Sequence, residues 1–355
     1  MLVTVLLTVA SFLGMLIVLV FAHEFGHFIT AKLTKVKVEE FGIGFPPRLF
    51  SFRKGGTTYS LNAIPLGGFT KMAGEEDPAI PDGLAGKSIP IRVLVLTAGS
   101  LMNILLPILF FTVSLMLPHN VVMEEVYVEE VAPHSPAYAA GIEPGDKIIS
   151  INNRPVNSRN DVVYSIQLHL GSEIKMLTQK SDGSQLEVYL TPRWRPPEGQ
   201  GPTGILVTGT NITNMRKSYP FWQAIPSSFV HCWEILVLFR NEIASWFIQG
   251  TLPQLTGPIG IAELTGQVAR AGLSPLLEFA ALISINLAII NLFPFPGLDG
   301  GRLIFVFLEW VRRGKKIPPK KEGLIHLIGM AVLLTLIIVV SYYDIASIVK
   351  NNPVP

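Results

Sequence analysis

The sequence has little charge and almost no cysteine. Only 15% of its 355 residues are Asp, Glu, Lys or Arg, against about 25% in an ordinary soluble domain, which is too few to coat a soluble surface of this size. A single cysteine, Cys232, excludes an internal disulfide and any cysteine-rich zinc module. Any metal must then be held by His, Asp or Glu. No basic block interleaved with aromatics occurs, so the net charge of +2 gives no footing for nucleic acid. No internal repeat is evident, which leaves an inverted-repeat transporter without support.

What is present is apolar: 49% of residues are hydrophobic and the mean hydropathy is +0.44. Residues 1–22, 93–123, 279–298 and 323–343 carry no charged side chain. Each run reaches or exceeds the roughly 20 residues a helix needs to cross a ~30 Å hydrocarbon core. The chain is therefore expected to be a polytopic α-helical membrane protein with four transmembrane helices. Its first run lacks a basic start and a small-residue cleavage site, and is read as a retained span rather than a signal peptide. Lys and Arg number nine in 31–92 and seven in 300–322, against none at the N-terminus and only Lys350 in the tail. Positive-inside counting places those two segments in the cytoplasm and both termini outside. Spans one and three then end on the same, cytoplasmic, side.

Between spans two and three, β-branched runs over roughly 124–208 alternate with turn signals at Glu143-Pro144-Gly145-Asp146 and Ser181-Asp182-Gly183. They predict a small extracytoplasmic α+β domain. Segment 219–248 is apolar but interrupted by Glu234, Arg240 and Glu242, and it carries Trp222, Trp233 and Trp246. It reads either as a helix at the membrane interface or as one packed on the soluble domain. On the cytoplasmic side, 49–68 alternates around Gly55-Gly56, a hairpin signal. Its edge can accept an extended peptide by strand addition, or it is an ordinary surface hairpin.

His23-Glu24-Phe25-Gly26-His27 is the sharpest chemical signal. Residues four apart share a helix face, so both imidazoles can meet one metal. Glu24, one residue after the first, is placed to serve as general base. Ionisable groups at the end of an uncharged span are costly and usually functional. A catalytic zinc wants a third protein ligand and an open position. His119, His134 and His169 lie outside or in the soluble stretch, His231 lies on the candidate interfacial helix, and His326 begins span four as a helix-end residue. Asp299 closes the third run in NLFPFPGLDGG, 291–301, on the same side as the end of span one. The Pro294, Pro296 and Gly297 cluster breaks that span just before it. Asn286 and Asn291 are amides in an apolar span, suited to hydrogen-bonding an unwound peptide or to helix–helix glue. No clear oxyanion donor is visible.

HEFGH, NLFPFPGLDGG, FGIGFPPRLFSF, IPLGGFTKMAGE, TGPIGIAELTG and SPAYAAGIEPGDKIISINNRPV together resemble the site-2 protease family of intramembrane zinc metalloproteases, in particular its bacterial branch that regulates sigma-E. The resemblance covers nearly the whole chain. It implies Zn2+ held by His23, His27 and Asp299, Glu24 as catalytic acid/base, and Asn286 and Asn291 in substrate handling. It also implies a membrane-associated β-element at 41–72 and a PDZ-like domain at 118–208. The remaining parts would be helices one and two within 1–117, a linker and interfacial amphipathic helix over 209–275, and helices three and four within 276–355. The implied activity is regulated intramembrane proteolysis in the inner or plasma membrane, acting on transmembrane substrates such as anti-sigma factors or remnant signal peptides. The sigma-E enzyme has two tandem PDZ domains and this chain has room for one, so substrate gating is expected to differ. The alternative reading is a membrane-anchored PDZ adaptor or pseudoprotease that binds partners without cutting them.

Overall fold

The computed structural model describes residues 2–250 and 256–350. In chain order, α1 (Leu2–Leu33) leads into the strands β1 (Val38–Lys54) and β2 (Thr57–Met72), then α2 (Ile89–Met116). Next come β3 (His119–Val131), α3 (Pro136–Ala139), β4 (Lys147–Ile151), β5 (Arg154–Pro155) and α4 (Arg159–Leu168). They are followed by β6 (Ile174–Gln179), β7 (Gln185–Leu190), β8 (Ile205–Lys217) and α5 (Phe221–Gln249). The remaining elements are α6 (Pro258–Ala271), α7 (Leu273–Leu292), α8 (Asp299–Val311) and α9 (Pro319–Val349). They form two compact units, one of residues 2–114 with 256–350 and one of residues 115–250.

In the first unit, Val3–Leu33, Ile89–Met116, Leu273–Leu292 and Pro319–Val349 are long and apolar enough to cross a membrane. They fall on the four charge-free runs. Their outer faces present large apolar side chains such as Val3, Leu105, Leu109, Leu327 and Ile338, a surface that water disfavours and lipid does not. The chain is a multi-pass membrane protein. One apolar cluster joins α1, β1, β2, α2 and α8 through Ala31, Val38, Met72, Val95 and Val306. Another joins α1 to α7 through Met15, Leu19 and Ala280, with Ile261 of α6 packed on it. The His23–His27 stretch lies between the two sets on α1. Arg92 of α2 and Glu309 of α8 form a buried ion pair that ties α8 down.

The β1–β2 hairpin turns at Gly55 (φ 58°) and Gly56 (φ 79°), with Lys54 opposite Thr57. A two-residue turn with both φ values positive is one that glycine adopts freely. The pattern beyond the turn is less simple than a hairpin. Phe41, Gly42 and Ile43 pair on one side with Tyr59, Ser60 and Leu61, and on the other with Thr70, Phe69 and Gly68. β2 therefore doubles back around the start of β1, and residues 68–71 become an outer segment lying against α1, where the Thr70 hydroxyl donates to the Glu24 carbonyl (3.0 Å).

The second unit is built on an antiparallel sheet in the order β7-β6-β4-β3-β8, with β5 paired to β4. Val126, Val128, Ile148, Ile151, Val162, Ile174 and Met176 fill its core. β8 runs past the expected boundary at 208 to Lys217, because β3 extends back to His119 and supplies a partner along its whole length. α5 packs on α4: Asn241 donates to the carbonyls of Gln167 (2.7 Å) and Leu168 (3.2 Å), and Glu234 binds Arg154 (2.7 Å) and the Tyr164 hydroxyl (3.0 Å). Its other side leaves Trp222, Trp233 and Phe247 exposed. Of the expected linker at 209–275, residues 251–255 lie outside the described residues.

The turn before β4 is fixed by Asp146, which is 2% exposed, accepts from the Glu143 amide (2.9 Å) and pairs with Lys180 (2.9 Å). Burial disfavours the Lys180 ammonium, but its bonds to Asp146 and Glu143 outweigh that and raise its pKa. Asp146→Ala leaves the Glu143 amide without its side-chain acceptor and Lys180 without its inner partner. A loss of about 2 kcal/mol is expected, read as a fall of about 5 °C in the thermal unfolding of this unit.

Candidate active site

α1 carries the first three residues of interest. It remains helical through His27, which puts His23 and His27 on one face, one turn apart. The Val95 carbonyl on α2 accepts from His27 Nδ1 (2.8 Å). A carbonyl only accepts, so this bond places the proton on Nδ1 and leaves Nε2 as a lone pair. Asp299 enters from the far end of the sequence. α7 stops at Leu292, Pro294 and Pro296 prevent its continuation, and α8 begins at Asp299. A carboxylate at a helix N-terminus is favoured by the exposed amides there.

These pieces meet. His27 Nε2 lies 3.2 Å from His23 Nε2 and 3.1 Å from Asp299 Oδ2, and His23 Nε2 lies 3.2 Å from the same oxygen. The structure thus brings three candidate ligand residues, of which His27 and Asp299 lie 272 positions apart in the chain, into one nearly equilateral triangle. Atoms bound at ~2.0–2.1 Å to one tetrahedral ion stand about 3.3 Å apart, so the donor set fits such an ion closely. Chemistry points the same way. Lone-pair atoms that face one another at this range form a donor set that a cation would satisfy.

Glu24 points from the same turn of α1. Its Cγ lies near Gly68, where an added Cβ would come within 3.1 Å. Glu24 lines a cavity of about 420 Å³ together with His23, His27, Thr70, Glu75, Asp299 and Arg302, and Arg302 pairs with Glu75 (2.8 Å) at its side. A second cavity, of about 280 Å³, holds His23, Glu24, Asp299 and Asn291. Asn286 lines neither cavity. Of the two asparagines expected to handle substrate, the structure brings only Asn291 to the triad.

Three supporting residues escaped sequence reasoning. Gly99 on α2 sits under the imidazoles: an added Cβ would run into His27 Nε2 and come within 2.8 Å of His23 Nε2. Gly26 on α1 faces it, where a Cβ would strike the Ala98 carbonyl. The two glycines let α1 and α2 approach backbone to backbone. The small residues Ala98-Gly99-Ser100 in a span of large ones were the available signal. The third is His326 of α9, read from sequence as a helix-end residue. Its Nδ1 accepts from the Gly297 amide (3.0 Å), which steadies the loop that delivers Asp299. Gly99→Ala is expected to push the imidazoles out of the triangle and weaken metal retention at least tenfold, by analogy with other changes to the support of a ligand. Competition with a chromogenic chelator measures this.

Lone pairs converging beside a free carboxylate, set among membrane-length apolar helices, are the features of a membrane-embedded metallohydrolase. The chain belongs to peptidase family M50, whose sequence profile matches residues 11–336. It is 30% identical to the zinc metalloprotease RasP of Geobacillus kaustophilus, over 95% of this chain and 97% of that protein. It is 31% identical to the zinc metalloprotease RasP of Oceanobacillus iheyensis, over 95% and 98%. Similarity to the regulator of sigma-W protease RasP of Bacillus subtilis is 29% identity over 95% and 98%. The alignment with the Geobacillus protein runs to 422 positions against 355 residues here, so that relative carries stretches with no counterpart in this chain.

Proposed function

We propose that the protein is an intramembrane zinc metalloprotease that hydrolyses a peptide bond in the transmembrane segment of a membrane-protein substrate. The observation that carries this reading is the triangle of His23, His27 and Asp299 with Glu24 beside it, on the wall of a cavity. His23 and His27 would hold the zinc through Nε2, and Asp299 through its carboxylate. When bound, zinc supplies a Lewis acid that acidifies water and polarises a carbonyl. Glu24 takes the proton of the attacking water and delivers it to the leaving amine nitrogen. Gly99 leaves room for the imidazoles, Val95 fixes the His27 tautomer, and His326 steadies the Asp299 loop.

A helical substrate hides its carbonyls in its own hydrogen bonds and must unwind before it can be cut. The outer segment 68–71 of β2 is suited to receive the unwound stretch by strand addition, with Asn291 on α7 as a further polar contact. Positive-inside counting supports a catalytic centre towards the cytoplasmic side and an extracytoplasmic second unit. The pattern of that unit's strands and helices, with the motif at 135–156, supports a PDZ-like domain acting as a size filter or as a binder of new C-termini. The exposed Trp222, Trp233 and Phe247 on α5 suit the membrane interface. Because one relative is named a regulator of sigma-W protease, membrane proteins that restrain a sigma factor are the first substrates to try.

The test is incubation of the detergent-purified protein with a reporter bearing one apolar helix, followed by mass spectrometry of the products. A cut inside the apolar helix, abolished by a zinc chelator and restored by zinc, supports the proposal. An intact reporter that stays bound favours the adaptor reading.

A further inference from the structure

The cavity of about 280 Å³ beside the triad has one polar lining residue that the mechanism leaves unused. Asn103 of α2 lines it, together with Val20, Gly67, Gly68, Leu287 and Asn291. Asn103 is 1% exposed, and neither its Oδ1 nor its Nδ2 has a hydrogen-bond partner among the described residues. Buried amides are rarely left this way, because unpaired polar atoms disfavour the folded state.

Helix packing does not explain the side chain. Pro107, four residues on, has no N–H to give the Asn103 carbonyl, and the Ser284 hydroxyl on α7 takes that role (2.8 Å). The main chain of Asn103 thus pins α2 to α7, and its carboxamide bridges nothing. The cavity's chemistry narrows what the carboxamide can meet. Glu24 and Asp299 repel anions, Val20 and Leu287 favour apolar groups, and Gly67 and Gly68 offer a wall without side chains. A segment of peptide with apolar side chains suits all of these at once.

We propose that Asn103 is a substrate-binding residue: its Nδ2 donates to a carbonyl oxygen, and its Oδ1 accepts an N–H, of the extended peptide held in this cavity. A carboxamide is the complement of a peptide group, and an unwound substrate brings backbone groups that have just lost their partners. The inference rests on the reading that the cavity receives peptide, and it adds a polar contact on α2 to that of Asn291 on α7.

The test uses the full chain in detergent and a fluorescein-labelled peptide with one apolar helix. Asn103→Leu keeps the branched shape, its larger methyls fitting into the adjoining cavity, and removes the unpaired amide, so it should unfold at the same or a higher temperature with its metal content unchanged. On that stable background kcat/KM should fall about 100-fold. With Glu24→Gln in place to block turnover, adding Asn103→Leu should weaken peptide binding about tenfold. Equal binding and equal turnover overturn the proposal and leave Asn103 a packing residue. If the parent protein does not cut the peptide, the protease reading fails, and the binding comparison still decides this one. No peptide binding by the Glu24→Gln parent also overturns it. Should Asn103→Leu unfold, Asn103→Ala is read by the same binding comparison.

Discussion

Glu24→Gln is expected to leave the protein folded and its metal in place while reporter cleavage falls by about a thousandfold or more. Glu24 is one residue along α1 from His23, so it reaches the cavity without joining the triangle, and its carbonyl accepts from the Thr70 hydroxyl. The amide of Gln keeps the shape and loses the ability to carry a proton. Metal content and melting temperature should therefore match wild type. A variant that still cuts within tenfold of wild type would remove Glu24 from the chemistry. A variant that loses metal as well would make Glu24 a ligand instead of a proton carrier.

Asp299→Ala should have the other large effect. It removes one corner of the triangle and leaves two imidazoles, one fewer than the three protein ligands a catalytic zinc site uses. Zinc content after dialysis should drop from about one per chain to near zero, and cleavage should disappear with it. Because Asp299 opens α8 after the Pro294–Gly297 break, the change touches no helix interior, and the spans should keep their helical signal. Retention of a full equivalent of zinc would mean that Asp299 is not a ligand.

Much of this was legible in the sequence because the membrane simplifies it. Charge-free runs of sufficient length mark spans directly, and the four apolar helices fall on them. The i, i+4 spacing of His23 and His27 needs only a helix to place them together. The approach of Asp299 followed from counting Lys and Arg, which put the ends of spans one and three on one side. What stayed hidden depends on how segments meet in space. The small run Ala98-Gly99-Ser100 marks a place where a helix can come close, but nothing local says that α1 is that helix or that its imidazoles lie over Gly99. His326 has the flanks of a helix-end residue, and only the Gly297 amide beside it gives it a role. The doubling back of β2 around β1 leaves no pattern that a simple hairpin would lack. Asn286 and Asn291 look alike in sequence, yet of the two only Asn291 lines a cavity at the triad. On α5, Glu234 interrupts an apolar stretch because its partners, Arg154 and Tyr164, lie 80 and 70 residues away.

Zinc-edge X-ray absorption on the detergent-purified protein tests the central claim most directly. The account predicts about one zinc per chain in a first shell of nitrogen and oxygen at about 2.0–2.1 Å, with the outer-ring scattering of two imidazoles. That signal should vanish in Asp299→Ala and persist in Glu24→Gln. A zinc-free protein after reconstitution, or a shell without imidazole, would contradict it.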